Sequence, residues 1–472
     1  QRLAGLVCID GKTYRVLGTA PADVPALPQT GLEITPTRSI YEFSGAGVRL
    51  AISFISPIIA SDLELVGRPA TYVVWDVQAT DGAPHRVQVL LSIGAGLAAG
   101  QPSDELVWSR EAVSGLTALK IGTEAQPVLG RAGDWIRIDW GYAWLATPAP
   151  HTVGVAGEQA ALLKRFAESG ALPDEMDTQM PRAAHDRRPS LALATDLGAV
   201  KEQGRTYQIL AYDDVKAARY FGQPLSAWWC RHGETASQLL QTAAAEFESV
   251  TKRCAAFDQA VLADARRIGG PKYAYLCALA YRQAMAGNVL AADAHGMPLL
   301  FNKEISSNGM VQTVDVIYPM APQVLLFSPA LTKAMLIPVL DYTSSDMWPF
   351  DYACHDLGFY PAPEGNAYGG MKPGDDPGRM PVEESANMLL MIAAVVHQQD
   401  GDVTFVKPYW PTLTKWADYL AEHGIDPVRQ LSTDDFAGHL ARNANLSIKA
   451  ILGIGAMARM CEFAGDDAGQ AK

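Results

Sequence analysis

The sequence predicts a multidomain β + α protein, in which an antiparallel β-sandwich is followed by a helical domain of the (α/α)6-toroid type. Three observations favour this fold class. The chain has 472 residues, whereas single hydrophobic cores stop growing at about 250–300 residues. Strand-like segments fill its first half, and helix-like segments fill its second half. We therefore place the sandwich at residues 1–228 and the helical domain at residues 229–472.

The composition is that of a globular protein with an acidic charge balance. Apolar residues make up 49% of the chain and charged residues 19%, so sizeable cores can form. The net charge of −13 disfavours nucleic acid and anionic membranes as partners, because both attract clustered Lys and Arg. No apolar run approaches the roughly 20 residues that span a bilayer. We expect a small-molecule substrate, no nucleic-acid partner and no membrane partner, and the oligomeric state stays open.

Strand patterning extends from Leu3 to about Gln223. Short runs such as GVRLAISFIS, ATYVVWDVQATDG and WIRIDWGYAWLAT alternate in polarity or are rich in β-branched residues. Gly, Pro and Asp-Gly turn signals separate them. Many short strands, with one helical patch predicted at about Glu158 to Ser169, favour an antiparallel sandwich over a parallel βαβ sheet.

The periodicity changes after Trp229. Apolar residues then recur every three or four positions from Leu239 to Ile268, which predicts one long amphipathic helix. Further helices are predicted at about 271–291, 318–327, 330–342, 382–399, 403–423 and 443–464. Helical hairpins in series can close into a toroid, but these segments are too few for six hairpins. We therefore expect the helical domain to be incomplete at its C-terminal end.

A long Gly- and Pro-rich segment before residue 382 carries the first candidate site residues. Such a loop inside a compact domain is usually functional. It contains His355 and Asp356, which we assign to substrate binding, and it ends where Glu383 and Glu384 follow Pro381 in a first helical turn. We assign the two glutamates to catalysis. The alternative is that they only complement the helix dipole.

A second polar segment contains Asp434, Asp435 and His439, with Asn443 and Asn445 at the next helix start. In a toroid the N-terminal ends of the inner helices converge on one funnel, so these groups would meet around one ligand. Two carboxylates can act on water as general acid and general base if their pKa values differ. We assign the two aspartates to catalysis and the other three residues to substrate binding. Helix capping by Thr433 and Asp434 is the alternative.

Glu304 and Asp315 lie in a third polar loop between helices and are further candidates for substrate binding. The chain has no GxSxG elbow, Walker A loop or HExxH motif. Its six cysteines form no CxxC pair and no Cys/His cluster with metal-site spacing. We therefore predict no metal site and no cofactor.

The candidate residues lie in extended motifs: CHDLGFYP from Cys354, MPVEESANM from Met380 and TDDFAGHLARNANLSIKAI from Thr433. Together with GGPKY from Gly269 and QPVLGRAGDWIRIDWGY from Gln126, they resemble the glutaminase A family of fungi and bacteria over nearly the whole chain. The resemblance implies a β-rich domain before an (α/α) toroid, hydrolysis of L-glutamine to L-glutamate and ammonia, and a secreted or periplasmic location. Family members extend past both ends of the matching region, so we expect this chain to be part of a longer one.

The motifs offer no obvious Ser, Thr or Cys nucleophile, so we expect a water molecule to attack the glutamine side chain. In this hypothesis Glu383 or Glu384 pairs with Asp435 as acid and base. His355, Asp356 and the two asparagines would then hold the charged end of the substrate and the oxyanion.

Two other functions fit the same residues. Paired carboxylates in a toroid behind a sandwich also suit an inverting glycoside hydrolase, and aromatic side chains near the loops could stack on sugar rings: Trp348, Tyr352, Phe359, Tyr360 and Tyr368. A glutaminase should instead present a positive group to the substrate carboxylate, for which Lys303, Lys372 and Arg379 are the candidates. A non-enzymatic protein that binds carbohydrate or a protein partner is the third possibility.

Overall fold

A computed structural model describes residues 3–304, 307–372, 376–466 and 469. Two antiparallel sheets occupy the first half, and the second half is mostly helical, which confirms the predicted fold class. The strands of these two sheets are β1 Leu3–Ile9, β2 Lys12–Leu17, β3 Gln29–Ile34, β4 Arg38–Gly45, β5 Val48–Ile55, β6 Ala70–Ala79, β7 His85–Gly94, β8 Glu105–Val113, β9 Leu116–Thr123, β10 Tyr142–Thr147, β11 Thr152–Glu158, β12 Arg182–Ala183, β13 Pro189–Val200 and β14 Gly204–Asp213.

The two sheets pack face to face as a sandwich. One has five strands in the order β11-β13-β7-β1-β2, and the other has nine in the order β12-β8-β9-β10-β14-β6-β5-β4-β3. Val7 and Val89 of the smaller sheet share a buried core with Leu50 and Trp75 of the larger one. The inward-facing residues of both sheets therefore form one apolar layer, as the alternating pattern predicts.

The helices are α1 Leu63–Val66, α2 Gln159–Ser169, α3 Ala236–Ala245, α4 Phe247–Ala286, α5 Val314–Phe327, α6 Pro329–Thr343, α7 Asp376–Arg379, α8 Pro381–Gln398, α9 Trp410–His423 and α10 Ala444–Ala464. No helix in the described part of the chain is both long enough and apolar enough to cross a membrane. Helix α8 is buried on almost every side and contacts α5, α6, α9 and α10. It is therefore the central helix of the second half, and its first turn lies deep in the protein.

The structure corrects several helix predictions. Helix α9, predicted from residue 403, begins at Trp410, and α5, predicted from residue 318, begins at Val314. The single helix predicted from Leu239 onward is divided at Glu246 into α3 and α4, and α4 is kinked at Gly270, where φ is 79° and ψ is −174°. Pro271 follows and lacks the N–H that a continuous helix would use. Residues 288–291, predicted to be helical, lie in β17 Asn288–Ala292, which pairs with β18 Pro298–Asn302. These strands join β15 Ala218–Tyr220 and β16 Gln223–Ala227 in a third sheet.

Helix α4 is joined to the sandwich by buried polar contacts. Asp258 is fully buried and accepts hydrogen bonds from Thr35 Oγ1 at 2.5 Å, Thr37 N at 2.8 Å and Thr37 Oγ1 at 2.9 Å. It also pairs with Arg38 Nε at 2.7 Å. Further along the helix, the Tyr281 hydroxyl accepts from Ala60 N at 3.1 Å and donates to Ile58 O at 2.6 Å. The two halves therefore share specific hydrogen bonds as well as apolar contacts.

Tyr281→Phe is expected to lower the free energy of unfolding by about 1–3 kcal/mol, because it leaves the buried Ala60 N–H without its acceptor. The aromatic ring and its packing are retained. Thermal denaturation measures the effect, with Tyr275→Phe as the control because that side chain is 48% exposed on the same helix. Equal melting temperatures for the two variants would contradict a stabilising role for the Tyr281 hydroxyl.

Candidate active site

The first turn of α8 buries two adjacent carboxylates. Pro381 occupies the first helical position, after Met380 in a left-handed conformation with φ of 54°. Glu383 and Glu384 are each 0% exposed, and the helix N-terminus has no side-chain capping hydrogen bond. Carboxylates in a first turn interact well with the helix dipole from the surface, so the dipole alone does not require this burial. The interaction with the helix dipole therefore explains the position of the pair in the first turn but not its complete burial.

Glu384 lies in a site with few hydrogen-bond donors. Its Oε2 accepts from Asn387 Nδ2 at 3.1 Å, whereas its Oε1 is buried without a hydrogen-bond partner among the described residues. Burial, followed by the nearby charges of Asp315 and Glu383, raises the pKa of Glu384 well above its usual value. This carboxyl group is therefore positioned to interact with a proton or a cation.

Asp315 and His355 complete a compact group with Glu384. Asp315 lies in the first turn of α5, and His355 lies in the loop after α6. His355 Nε2 is 4.0 Å from Asp315 Oδ1. One donor atom from each of Asp315, His355 and Glu384 lies within 4.8 Å of the other two. We call these three residues the Asp315–His355–Glu384 cluster.

Asp356 fixes the orientation of His355. Its Oδ1 accepts from Gly358 N at 2.7 Å and Ala367 N at 2.8 Å, and its Oδ2 accepts from Tyr368 N at 2.9 Å. The same Oδ2 lies 2.9 Å from His355 Nδ1. Burial opposes protonation of His355, but the hydrogen bond and charge of Asp356, with Asp315 and Glu304, outweigh burial and raise its pKa. Asp356, predicted to bind substrate, has its oxygens occupied by the protein and acts as a positioning residue.

Glu383 forms the second polar group of the site. Its Oε1 accepts from Thr433 Oγ1 at 2.8 Å and from Asn387 Nδ2 at 3.3 Å, and it forms an ion pair with Lys449. Lys449 also donates to Asn387 Oδ1 at 3.1 Å. Glu383 Oε2 is buried and has no hydrogen-bond partner in the described part of the chain. Since Asn387 Nδ2 contacts both glutamates, the two carboxylates flank one amide group.

The positive group that pairs with Glu383 is Lys449, which was not among the predicted candidates Lys303, Lys372 and Arg379. Lys303 Nζ lies 4.6 Å from the centre of the Tyr360 ring, and Lys372 is exposed. Arg379 is fully buried, where it donates to Tyr352 Oη at 2.8 Å and lies over the Phe350 ring. Its Nη1 donates to the carbonyl of Gly370 at 3.0 Å, so it stabilises the loop.

Two site residues were missed by the sequence analysis, although a signal exists for each. Asn387 lies one turn after the two glutamates, at the spacing that brings side chains onto one helix face. Lys449 is a single charge inside the apolar run LSIKAILGIGA of a predicted helix. A lysine in such a run is expected to pair with a buried acid.

The second polar segment contributes less than predicted. Asp434 is exposed, and its Oδ1 accepts from Ala437 N at 3.3 Å. This local hydrogen bond matches the helix-capping role that was the alternative to catalysis. Asn443 caps α10 by accepting from Asn445 N at 3.0 Å, and Asn445 is exposed. His439 is half-buried.

The predicted pairing of Asp435 with Glu383 or Glu384 stays a prediction, because the Asp435 side chain lies outside the described part of the structure. Glu304 is half-buried beside the cluster and accepts from Thr313 Oγ1 at 3.0 Å.

Comparisons with known proteins identify the family of this chain. Residues 270–472 match the family model described as the Glutaminase A six helical-hairpin domain, and residues 37–264 match a Domain of unknown function (DUF5127). Over 476 residues the chain is 32% identical to Glutaminase A of Aspergillus oryzae, in an alignment that covers 98% of this chain and 67% of that protein. The chain belongs to the glutaminase A family.

A second relative of this glutaminase A family member is the Probable glutaminase of Arthroderma benhamiae. It is 26% identical over 545 residues, covering 96% of this chain and 61% of that protein. The chain therefore spans about two thirds of the length of these two relatives. The cluster, Glu383 and Lys449 all lie within the region matched by the six helical-hairpin model.

Proposed function

We propose that this glutaminase A family member hydrolyses the side-chain amide of L-glutamine to L-glutamate and ammonia. The observation that carries the proposal is the buried Oε1 of Glu384, which lacks a hydrogen-bond partner among the described residues and belongs to a group with Asp315 and His355. A buried polar site with several converging groups can hold a water molecule. The names of the relatives supply the substrate class.

The cluster would position the attacking water. Asp356 accepts from His355 Nδ1, so a neutral imidazole keeps its Nε2 lone pair available on the side that faces Asp315. That lone pair and the carboxylates of Asp315 and Glu384 can accept hydrogen bonds from the same water molecule. The water oxygen would then be directed at the amide carbon of the substrate.

Glu383 would move the proton. When the water oxygen forms its bond to the amide carbon, one water proton passes to Glu383 Oε2, which is free of hydrogen bonds to the described residues. The same proton is then returned to the amide nitrogen as the C–N bond breaks, and ammonia leaves. Lys449 compensates the negative charge of Glu383 before and after this transfer.

One observation favours an inverting glycoside hydrolase as the second candidate. The Tyr368 ring is 38% exposed and its centre lies 4.8 Å from that of His355, so it could stack on a sugar bound beside the cluster. In an amide hydrolase the same ring would pack against the side chain of a smaller substrate.

The two candidates predict different products. The purified protein is expected to release ammonia from L-glutamine, measured with a coupled glutamate dehydrogenase assay, and to leave a panel of aryl glycosides intact. Glucose or another free sugar appearing from that panel, with no ammonia from glutamine, would reverse the assignment. Glu422→Gln serves as a control, because that side chain is 77% exposed on α9, outside the site, and its variant should keep the parent rate.

A further inference from the structure

We propose that Asp315, His355 and Glu384 bind a divalent transition-metal ion, with Zn²⁺ as the best-fitting candidate. We further propose that this ion holds the attacking water, a role that rests on the proposed amide hydrolysis. The three ligands come from separate segments of the chain with no recognisable spacing, so no metal site was predicted from the sequence.

The three donor groups fit a transition-metal ion that keeps one coordination position open for water. One imidazole nitrogen and two carboxylate oxygens lie within 4.8 Å of one another. Three protein ligands with a water in the fourth position are typical of catalytic zinc sites. Mg²⁺ and Ca²⁺ prefer oxygen ligands alone, so the imidazole disfavours both. With metal–ligand bonds of about 2.0–2.2 Å, donors around one ion are about 3–4 Å apart, so small side-chain rotations would complete the site.

The hydrogen bond behind His355 gives independent support. Metal-binding histidines usually donate their second ring N–H to a carboxylate or carbonyl, which fixes the ring and the tautomer. His355 Nδ1 lies 2.9 Å from Asp356 Oδ2, and three backbone N–H groups hold that aspartate in place. The other ring nitrogen of a neutral imidazole then presents a lone pair to Asp315 Oδ1 at 4.0 Å, which is too far for a hydrogen bond. An ion between these two acceptors would bind both.

The buried negative charge of the site also favours a bound cation. Glu384 is 0% exposed, and its Oε1 has no hydrogen-bond partner in the described part of the structure. A buried carboxylate without compensation is strongly unfavourable. Lys449, the nearby positive group, is already paired with Glu383. A divalent ion would compensate Glu384 at the point where its carboxylate converges with that of Asp315 and with the imidazole of His355.

Calorimetric titration of the chelator-treated protein with ZnCl₂ tests the site directly. We expect one saturable Zn²⁺ per chain, and an affinity for Mg²⁺ at least about 100-fold weaker. Asp315→Asn and Glu384→Gln should each lower Zn²⁺ affinity by at least about 100-fold, and Asp356→Asn by about 10–100-fold. Glu422→Gln should bind Zn²⁺ like the parent protein, since Glu422 is exposed on α9.

Melting curves recorded without metal test whether the two ligand variants are folded. Both ligand variants are isosteric and introduce no new charge, so without metal they should stay folded and melt close to the metal-free parent. As a second measurement on the unchanged protein, Co²⁺ should give the visible absorption of a four- or five-coordinate ion.

The outcomes separate this inference from the proposed function. Absence of saturable Zn²⁺ binding, or unchanged affinity in both ligand variants, would overturn the metal site even if glutamine is hydrolysed. Hydrolysis at the full rate after complete metal removal would overturn the role of the ion in holding water. Zn²⁺ binding that depends on Asp315 and Glu384, in a protein that releases no ammonia from glutamine, would support the site and contradict the proposed reaction.

Discussion

Glu383→Gln is expected to lower kcat for ammonia release from L-glutamine by about 10²–10⁴-fold, the usual loss when a general base is removed. The amide side chain keeps the size of the glutamate and can still contact Thr433 and Lys449, which bind Oε1 in the structure. It cannot accept the proton of the attacking water. KM should change much less than kcat, because Glu383 is proposed to transfer a proton and not to bind the substrate.

The control for this variant is Glu422→Gln, which makes the same chemical change at a side chain that is 77% exposed. Steady-state rates and melting curves of both variants separate loss of catalysis from loss of folded protein. A Glu383→Gln enzyme that stays folded and retains more than about a tenth of the parent kcat would exclude Glu383 as the base.

Asp258→Ala is expected to produce the largest loss of stability, about 3–5 kcal/mol. The carboxylate is fully buried and accepts from Thr35, Thr37 and Arg38, so its removal leaves several donors unpaired where α4 meets the sandwich. Breaking a buried ion pair from one side is much more destabilising than removing an exposed charge, because the remaining charge is left in a poorly solvated position. Chemical denaturation followed by circular dichroism measures the change.

Asp264→Ala is the matched control for Asp258→Ala. Asp264 lies on the same helix and pairs with Arg267, but its side chain is 72% exposed. Its replacement should change stability by less than about 1 kcal/mol. If the two alanine variants unfolded at the same denaturant concentration, the contacts of Asp258 would not stabilise the joint between the halves.

The strands and helices could be predicted where the local pattern of polar and apolar residues determines the secondary structure. Alternating polarity predicted most of the strands, although residues 135–141 of the run WIRIDWGYAWLAT form no strand. The three-to-four spacing predicted helices such as α6, α8 and α10 within one or two residues. Asn288–Ala292 was misread, because a short apolar run cannot be assigned to helix or strand by periodicity alone. The division of the chain at residues 228 and 229 stays a prediction.

The candidate site was predicted in part. The structure brings Glu383, Glu384, His355 and Asp315 together, as the hypothesis of converging helix starts requires. Asp434 instead makes the local capping bond that was its alternative, and Asn443 caps α10. Lys449 was missed because its partner lies 66 residues away, and such pairings depend on tertiary packing rather than on spacing.

The ion pair between Glu383 and Lys449 also links activity to the state of folding. One partner belongs to α8 and the other to α10, so the pair exists only while these two helices are docked against each other. A partly folded chain with intact secondary structure but loosened helix packing would lose the countercharge of its proposed base. In that case turnover reports on tertiary order, and it would disappear before the helical circular dichroism signal does.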